Sequence, residues 1–139
     1  HWQAMIDELN DGKQADLAQR MMQIWFHRAA LGEGLHQQSL ENFINTQTDG
    51  LIGSFEAVRG TDFYSPTSGL RLPCLGLGGA EDRFVPQDMT RETVSLIPGS
   101  DFVLLRKSGH LSPVDQPQAV AEALTGFLKQ IGHVSKDKD

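Results

Sequence analysis

The stretch Leu72-Pro73-Cys74-Leu75-Gly76-Leu77-Gly78-Gly79, continuing through Ala80-Glu81-Asp82-Arg83-Phe84-Val85-Pro86, decides how this chain is read. Leu72–Leu77 is a continuous apolar run closed by Gly78-Gly79, the pattern of a parallel strand covered on both faces rather than of a half-exposed one. Pro86 opens a helix reaching about Ile97, which Pro98-Gly99 ends. A second short apolar strand follows at Phe102–Leu105. Pro117 suits the first turn of a helix, where its missing N–H removes no hydrogen bond. Along that helix Val120, Ala121, Leu124, Phe127, Leu128 and Ile131 recur at helical spacing and give one broad apolar face. Strand, helix, strand, helix is one right-handed βαβ unit with a covering helix.

Upstream of this unit the patterning is helical. In Ala15–Leu31 the residues Leu17, Met21, Ile24, Trp25 and Leu31 fall at helical spacings, with Met22, Phe26 and Ala29 widening the stripe and Gly32 and Gly34 ending it. Gln37–Thr46 and Gly50–Arg59 read as further helices, and Thr61–Gly69, rich in Ser, Thr, Pro and Gly, reads as a linker. The organisation expected is a helical segment over 1–60, a linker over 61–69, an α/β core portion over 70–132 and a disordered tail over 133–139. Two parallel strands leave edge hydrogen-bonding groups and apolar faces uncovered, so this sheet is expected to be completed by a polypeptide outside these residues or by another copy.

Composition narrows the function classes. At 139 residues, with 39% hydrophobic and 22% charged residues, the chain can bury a real core. A net charge of −6 opposes an electrostatic nucleic-acid footprint, and no apolar run approaches the roughly 20 residues of a membrane span. Neither nucleic acid nor membrane is therefore expected as a partner. The single cysteine, Cys74, excludes an internal disulfide, reads as a small apolar side chain, and fits a reducing, cytoplasmic compartment. His1-Trp2-Gln3 resembles neither an initiator methionine nor a secretory signal, and the chain reads as a piece of a longer protein.

Asp82 lies just beyond the first strand and His110 just beyond the second, 28 residues apart. One helical crossover fits that interval, which puts both at the carboxyl ends of neighbouring parallel strands, where open α/β sheets build their sites. A spacing of about 4.8 Å between strands brings the two loops within reach of one another. There a carboxylate can fix an imidazole tautomer so that the other ring nitrogen takes a proton from a nucleophile. The plainer readings are a turn or N-cap aspartate ahead of Pro86 and an ordinary loop histidine.

Taken in order, Pro73-Cys74-Leu75, Gly79-Ala80-Glu81-Asp82, Val85-Pro86, Gly109-His110, Gln116-Pro117 and Phe127-Leu128 resemble the C-terminal segment of the α/β-hydrolase superfamily. The resemblance implies an α/β fold class: the C-terminal βαβα portion of a hydrolase core preceded by helical cap segments. By it Asp82 is the acid and His110 the base of a catalytic triad, Glu81 being one residue early for the acid and Asp62 serving the linker. Trp25-Phe26 and the stretch Gly50 to Phe63, with Glu56-Ala57-Val58-Arg59-Gly60-Thr61-Asp62-Phe63, are similar to the cap and re-entry segment of the 3-oxoadipate enol-lactonase group. That likeness makes Met22, Trp25, Phe26 and His27 candidates for lining a substrate pocket, against the plain alternative of helix packing. His27 has no companion at metal-ligand spacing, and no metal or cofactor is expected.

The departure from the family is the nucleophile. No Gly-x-Ser-x-Gly elbow occurs, since Ser54, Ser65, Ser68, Ser100 and Ser108 all lack that context. The resemblance therefore implies a hydrolase of a small ester, lactone or thioester whose serine lies in an N-terminal half outside this chain, these residues being inactive alone. An aspartate nucleophile, as in haloalkane dehalogenases and epoxide hydrolases, a ligand-binding receptor of the same fold, and a self-associating unit remain alternatives.

Overall fold

The structure, a computed structural model, describes residues 1–135; the rest of the tail expected at 133–139 lies outside the described residues. Five helices come first: α1 (Trp2–Asn10), α2 (Gln14–Trp25), α3 (Arg28–Gly32), α4 (Gln37–Asn45) and α5 (Thr48–Arg59). They form a layer in which α1 packs on α5 and on α2, and α2 packs on α4. The main core of the described residues lies here, built from Met5, Ile6, Leu9, Leu17, Met21, Met22, Phe26, Phe43 and Phe55 among others. At about 25 cal/mol per Å² of apolar surface removed from water, these side chains are what hold five short helices together, since helices of this length are marginal alone.

The expected single helix over Ala15–Leu31 is instead two. Helix α2 stops at Trp25, Phe26 and His27 are extended (ψ 147° and 146°), and α3 restarts at Arg28. No proline or glycine lies at the break. Tertiary bonds compete for the groups an unbroken helix would pair internally: the Trp25 carbonyl accepts from the amides of His110 and Leu111, and the His27 amide goes to Asp115.

After a short helix α6 (Tyr64–Ser68), which falls inside the segment read as a linker, the chain alternates as its apolar runs require. Strand β1 (Leu75–Gly79) leads to α7 (Gln87–Ser95), β2 (Asp101–Leu105), a single turn α8 (Ser112–Asp115) and α9 (Pro117–Gln130). The strands pair in parallel, with Leu75 opposite Asp101 and Gly79 opposite Leu105. Strand β1 starts later than its apolar run because Leu72 and Pro73 have no strand opposite them. The first ladder bond runs from the Asp101 amide to the Cys74 carbonyl at 2.9 Å. Beyond the strands the zipper continues, from the Ala80 amide to Leu105 and from the Glu81 amide to Ser108, each at 2.9 Å. This extension delivers the Asp82 and His110 loops side by side.

Helices α7 and α9 each touch both strands. Among the described residues the sheet has two strands only, and Leu72, Leu104, Leu124 and Ile131 are exposed around it. The face predicted for α9 is thus only partly covered, with Val120 its buried member. Among the described residues no helix is long and apolar enough to cross a membrane.

Candidate active site

Asp82 and His110 meet. His110 Nδ1 lies 2.9 Å from Asp82 Oδ2, the aspartate side chain being 8% exposed and the imidazole 32%. The other carboxylate oxygen, Oδ1, accepts from the amides of Phe84 (2.8 Å) and Val85 (2.9 Å). One carboxylate oxygen of Asp82 thus caps the turn while the other faces the imidazole. A carboxylate opposite Nδ1 makes Nδ1 the protonated nitrogen and leaves Nε2 with a free lone pair.

The His110 loop is fastened residue by residue. Lys107 takes a left-handed conformation (φ 53°), and its carbonyl accepts from the Gln116 side chain at 3.0 Å. Ser108, fully buried, donates to Ser112 Oγ at 2.8 Å, and Ser112 Oγ donates to the Gly109 carbonyl at 3.1 Å. The amides of His110 (2.6 Å) and Leu111 (3.2 Å) both end on the Trp25 carbonyl at the close of α2. Gly109 has no room for a side chain: a Cβ there would stand 2.5 Å from the Trp25 oxygen and 3.1 Å from the His27 nitrogen.

Of the four candidate pocket residues, Met22 and Phe26 are packed into the helical core at 1% and 0% exposure. Both side chains belong to the helical core, and Phe26 also borders the cleft described below. The Trp25 ring meets both Phe43 of α4, centroids 5.8 Å apart, and His110, centroids 6.3 Å apart, and its indole Nε1 is buried with no hydrogen-bond partner. His27 is also buried. Its Nδ1 accepts from the Ala29 amide at 3.1 Å and caps α3, so Nε2 carries the proton and donates to Glu81 Oε1 at 3.0 Å. Glu81 is thereby engaged away from His110, and Asp62 receives the Tyr64 amide in a turn at 3.0 Å. A cleft of about 380 Å³ is lined by Phe26, His27, Arg28, Ala80, Glu81, Asp82 and Arg83; His110 is not among its lining residues. No cluster of His, Cys, Asp and Glu able to hold a metal occurs among the described residues.

Two neighbours of His110 escape a reading of the sequence. Phe84 packs its ring edge-on against the imidazole, centroids 5.0 Å apart, and also touches Trp25 and Trp2. Asp115, buried at the end of α8, accepts from the Gly109 amide at 2.6 Å and from the His27 amide at 3.1 Å. A carboxylate directly before the Gln116-Pro117 helix start is the one trace of it in the sequence.

No family model matches the chain. Among solved structures, a hydrolase from Pseudomonas aeruginosa PA01 is 30% identical with a TM-score of 0.79, the match covering 91% of this chain and 49% of that one. The enol-lactonase from Burkholderia xenovorans LB400 superposes with a TM-score of 0.85 at 22% identity, over 92% of this chain and 50% of that one. The pimeloyl-[acyl-carrier protein] methyl ester esterase of Pectobacterium atrosepticum is 32% identical over 81 residues, which are 58% of this chain and 32% of the relative. The chain thus spans about half the length of the solved structures and 22% to 39% of the curated relatives it matches. Strand register, ordered motifs and neighbours agree: the chain has the α/β-hydrolase fold, of whose architecture it forms the C-terminal portion, and it resembles members of that superfamily.

Proposed function

We propose that these residues supply the acid and base of a serine hydrolase acting on a small ester, lactone or thioester, the serine coming from polypeptide outside them. The observation that carries the reading is the Asp82–His110 contact of 2.9 Å, made by a carboxylate whose second oxygen is already held by two backbone amides. Fixed in this way, Asp82 keeps the proton on His110 Nδ1 and stabilises the imidazolium that forms when Nε2 takes a proton from the serine hydroxyl. The serine oxygen then attacks the substrate carbonyl. His110 returns the proton to the leaving oxygen or sulfur as that bond breaks, giving an acyl-enzyme. Water, deprotonated by the same Nε2, releases the acid and regenerates the serine. Trp25 and Phe84 flank the imidazole with apolar surface, which suits an acyl or alkyl group beside the reacting carbon. The names of the similar proteins, hydrolase, enol-lactonase and methyl ester esterase, support the same chemical class. The partner that completes the sheet is proposed to be the preceding half of the same protein.

The test is hydrolysis of p-nitrophenyl acetate by the full-length protein. His110→Ala is expected to lower kcat by about a thousandfold or more, as loss of the base does in triad enzymes. Undiminished turnover in that variant refutes the assignment.

A further inference from the structure

Asp115 is a buried carboxylate with no part in the chemistry above, and its partners are unusual. They are main-chain amides from two places far apart in the sequence: Gly109, immediately before His110, and His27, at the break between α2 and α3. Oδ2 stands 2.6 Å from the Gly109 nitrogen and 3.1 Å from the His27 nitrogen, and Oδ1 stands 3.3 Å from the latter. Charge-assisted bonds to amides are stronger than neutral ones and fix direction as well as distance. The anchor itself is rigid, because the Asp115 amide closes the α8 turn on the Leu111 carbonyl at 3.0 Å.

We infer that Asp115 is a positioning residue for His110. Resting on the hydrolase reading, this assigns it the task of holding the backbone on the N-terminal side of the base at a fixed place relative to the helical layer. The Trp25 carbonyl does the same on the other side, through the His110 and Leu111 amides. With both ends of the His110 peptide pinned, the imidazole meets Asp82 without searching for it. Release of the Gly109 amide leaves that end held only through the Gly109 carbonyl and its serine donors, a looser tether on which the ring shifts about the Trp25 anchor while Asp82 stays held by Phe84 and Val85. Asp115 touches neither His110's ring nor the Asp82 carboxylate, so its effect passes through geometry alone. A misplacement of about 1 Å at a catalytic group can cost on the order of a hundredfold in rate.

The experiment uses full-length protein carrying Asp115→Asn or Asp115→Glu, with His110→Ala alongside. Turnover of p-nitrophenyl acetate is measured together with the low-field proton resonance of His110 Nδ1–H, assigned by its absence in His110→Ala. The expected result for Asp115→Asn is a kcat reduced at least tenfold, a KM changed less than about twofold, and a low-field resonance shifted or broadened away. Asp115→Glu, which keeps the acceptor charge on a longer arm, is expected to recover part of kcat but not the original resonance position. Wild-type kcat and resonance in whichever of the two variants folds overturn the inference. If His110→Ala itself keeps full activity, it is the hydrolase reading that fails; the resonance still reports whether Asp115 orders the loop.

Discussion

Gly109→Ala is the substitution whose outcome the structure fixes most closely. The added Cβ would stand 2.5 Å from the Trp25 oxygen, 3.0 Å from the Phe26 carbonyl carbon and 3.1 Å from the His27 nitrogen, all backbone atoms that no rotamer change can move. To reach ordinary contact the Trp25 carbonyl and the Gly109 loop must separate by roughly 0.5–1 Å, an overpacking that costs about 1–3 kcal/mol. That separation acts on the carbonyl serving His110 at 2.6 Å and Leu111 at 3.2 Å. The shorter bond survives the shift; the longer one passes out of hydrogen-bonding range and removes about 1 kcal/mol more. Gly109 has no left-handed φ to lose, and the alanine gains about 0.4–1 kcal/mol from a less flexible unfolded chain. The net expectation is a loss of about 2–3 kcal/mol in urea unfolding of the full-length protein. A fall of tenfold to a hundredfold in kcat accompanies it, since the displaced peptide carries the base. Gly126→Ala is the control: nothing lies within 4 Å of its Cβ in α9, and helix propensity predicts a gain of about 0.5–1 kcal/mol. An unfolding midpoint and kcat for Gly109→Ala equal to wild type would refute the steric reasoning.

Three further outcomes are expected. Asp82→Asn keeps an acceptor for the Phe84 and Val85 amides, so thermal melting should move little, while kcat falls by about 10⁴-fold because the amide cannot hold the same tautomer; a large drop in Tm with near-normal kcat would reverse that reading. Lys107→Gly relieves an exposed residue of its left-handed backbone (φ 53°) and should raise stability by about 1 kcal/mol in urea titration; a destabilised variant would show that the lysine side chain matters more than its conformation. Met22→Ala opens a cavity in the helical core and should cost about 2–5 kcal/mol with KM for a small ester unchanged; a raised KM at unaltered stability would instead make Met22 a pocket residue.

The strand–helix–strand–helix order could be read from the sequence because each element is short, apolar where it is covered, and punctuated by proline or glycine. The approach of Asp82 to His110 could be read as well, since a parallel crossover leaves little freedom in where two strand ends emerge. What lay beyond the sequence is whatever depends on partners distant along the chain. The break at Phe26-His27 has no local cause, being imposed by the His110 loop and Asp115, which compete for amide and carbonyl groups a helix would use itself. Met22, Trp25 and Phe26 all read as members of one broad apolar stripe, and nothing in that pattern marks Trp25 as the one whose ring lies beside the imidazole. Asp115 looks like any helix-end aspartate until its two amide donors are known.

The bond from His27 to Asp115 spans 88 residues, and that span bears on how the molecule acquires its shape. Contacts of such long range cannot help until most of the loop-closure entropy has been lost, so they form late. Helix α2 can pack on α1 and α4 early, since these elements lie closer along the chain, but the loop bearing the base settles only when α8 reaches the helical layer. Amide hydrogen exchange should register this order: the His110 and His27 amides, each held from far along the chain by Trp25 and Asp115, should exchange together as one opening unit, and that unit should not include the middle of α2.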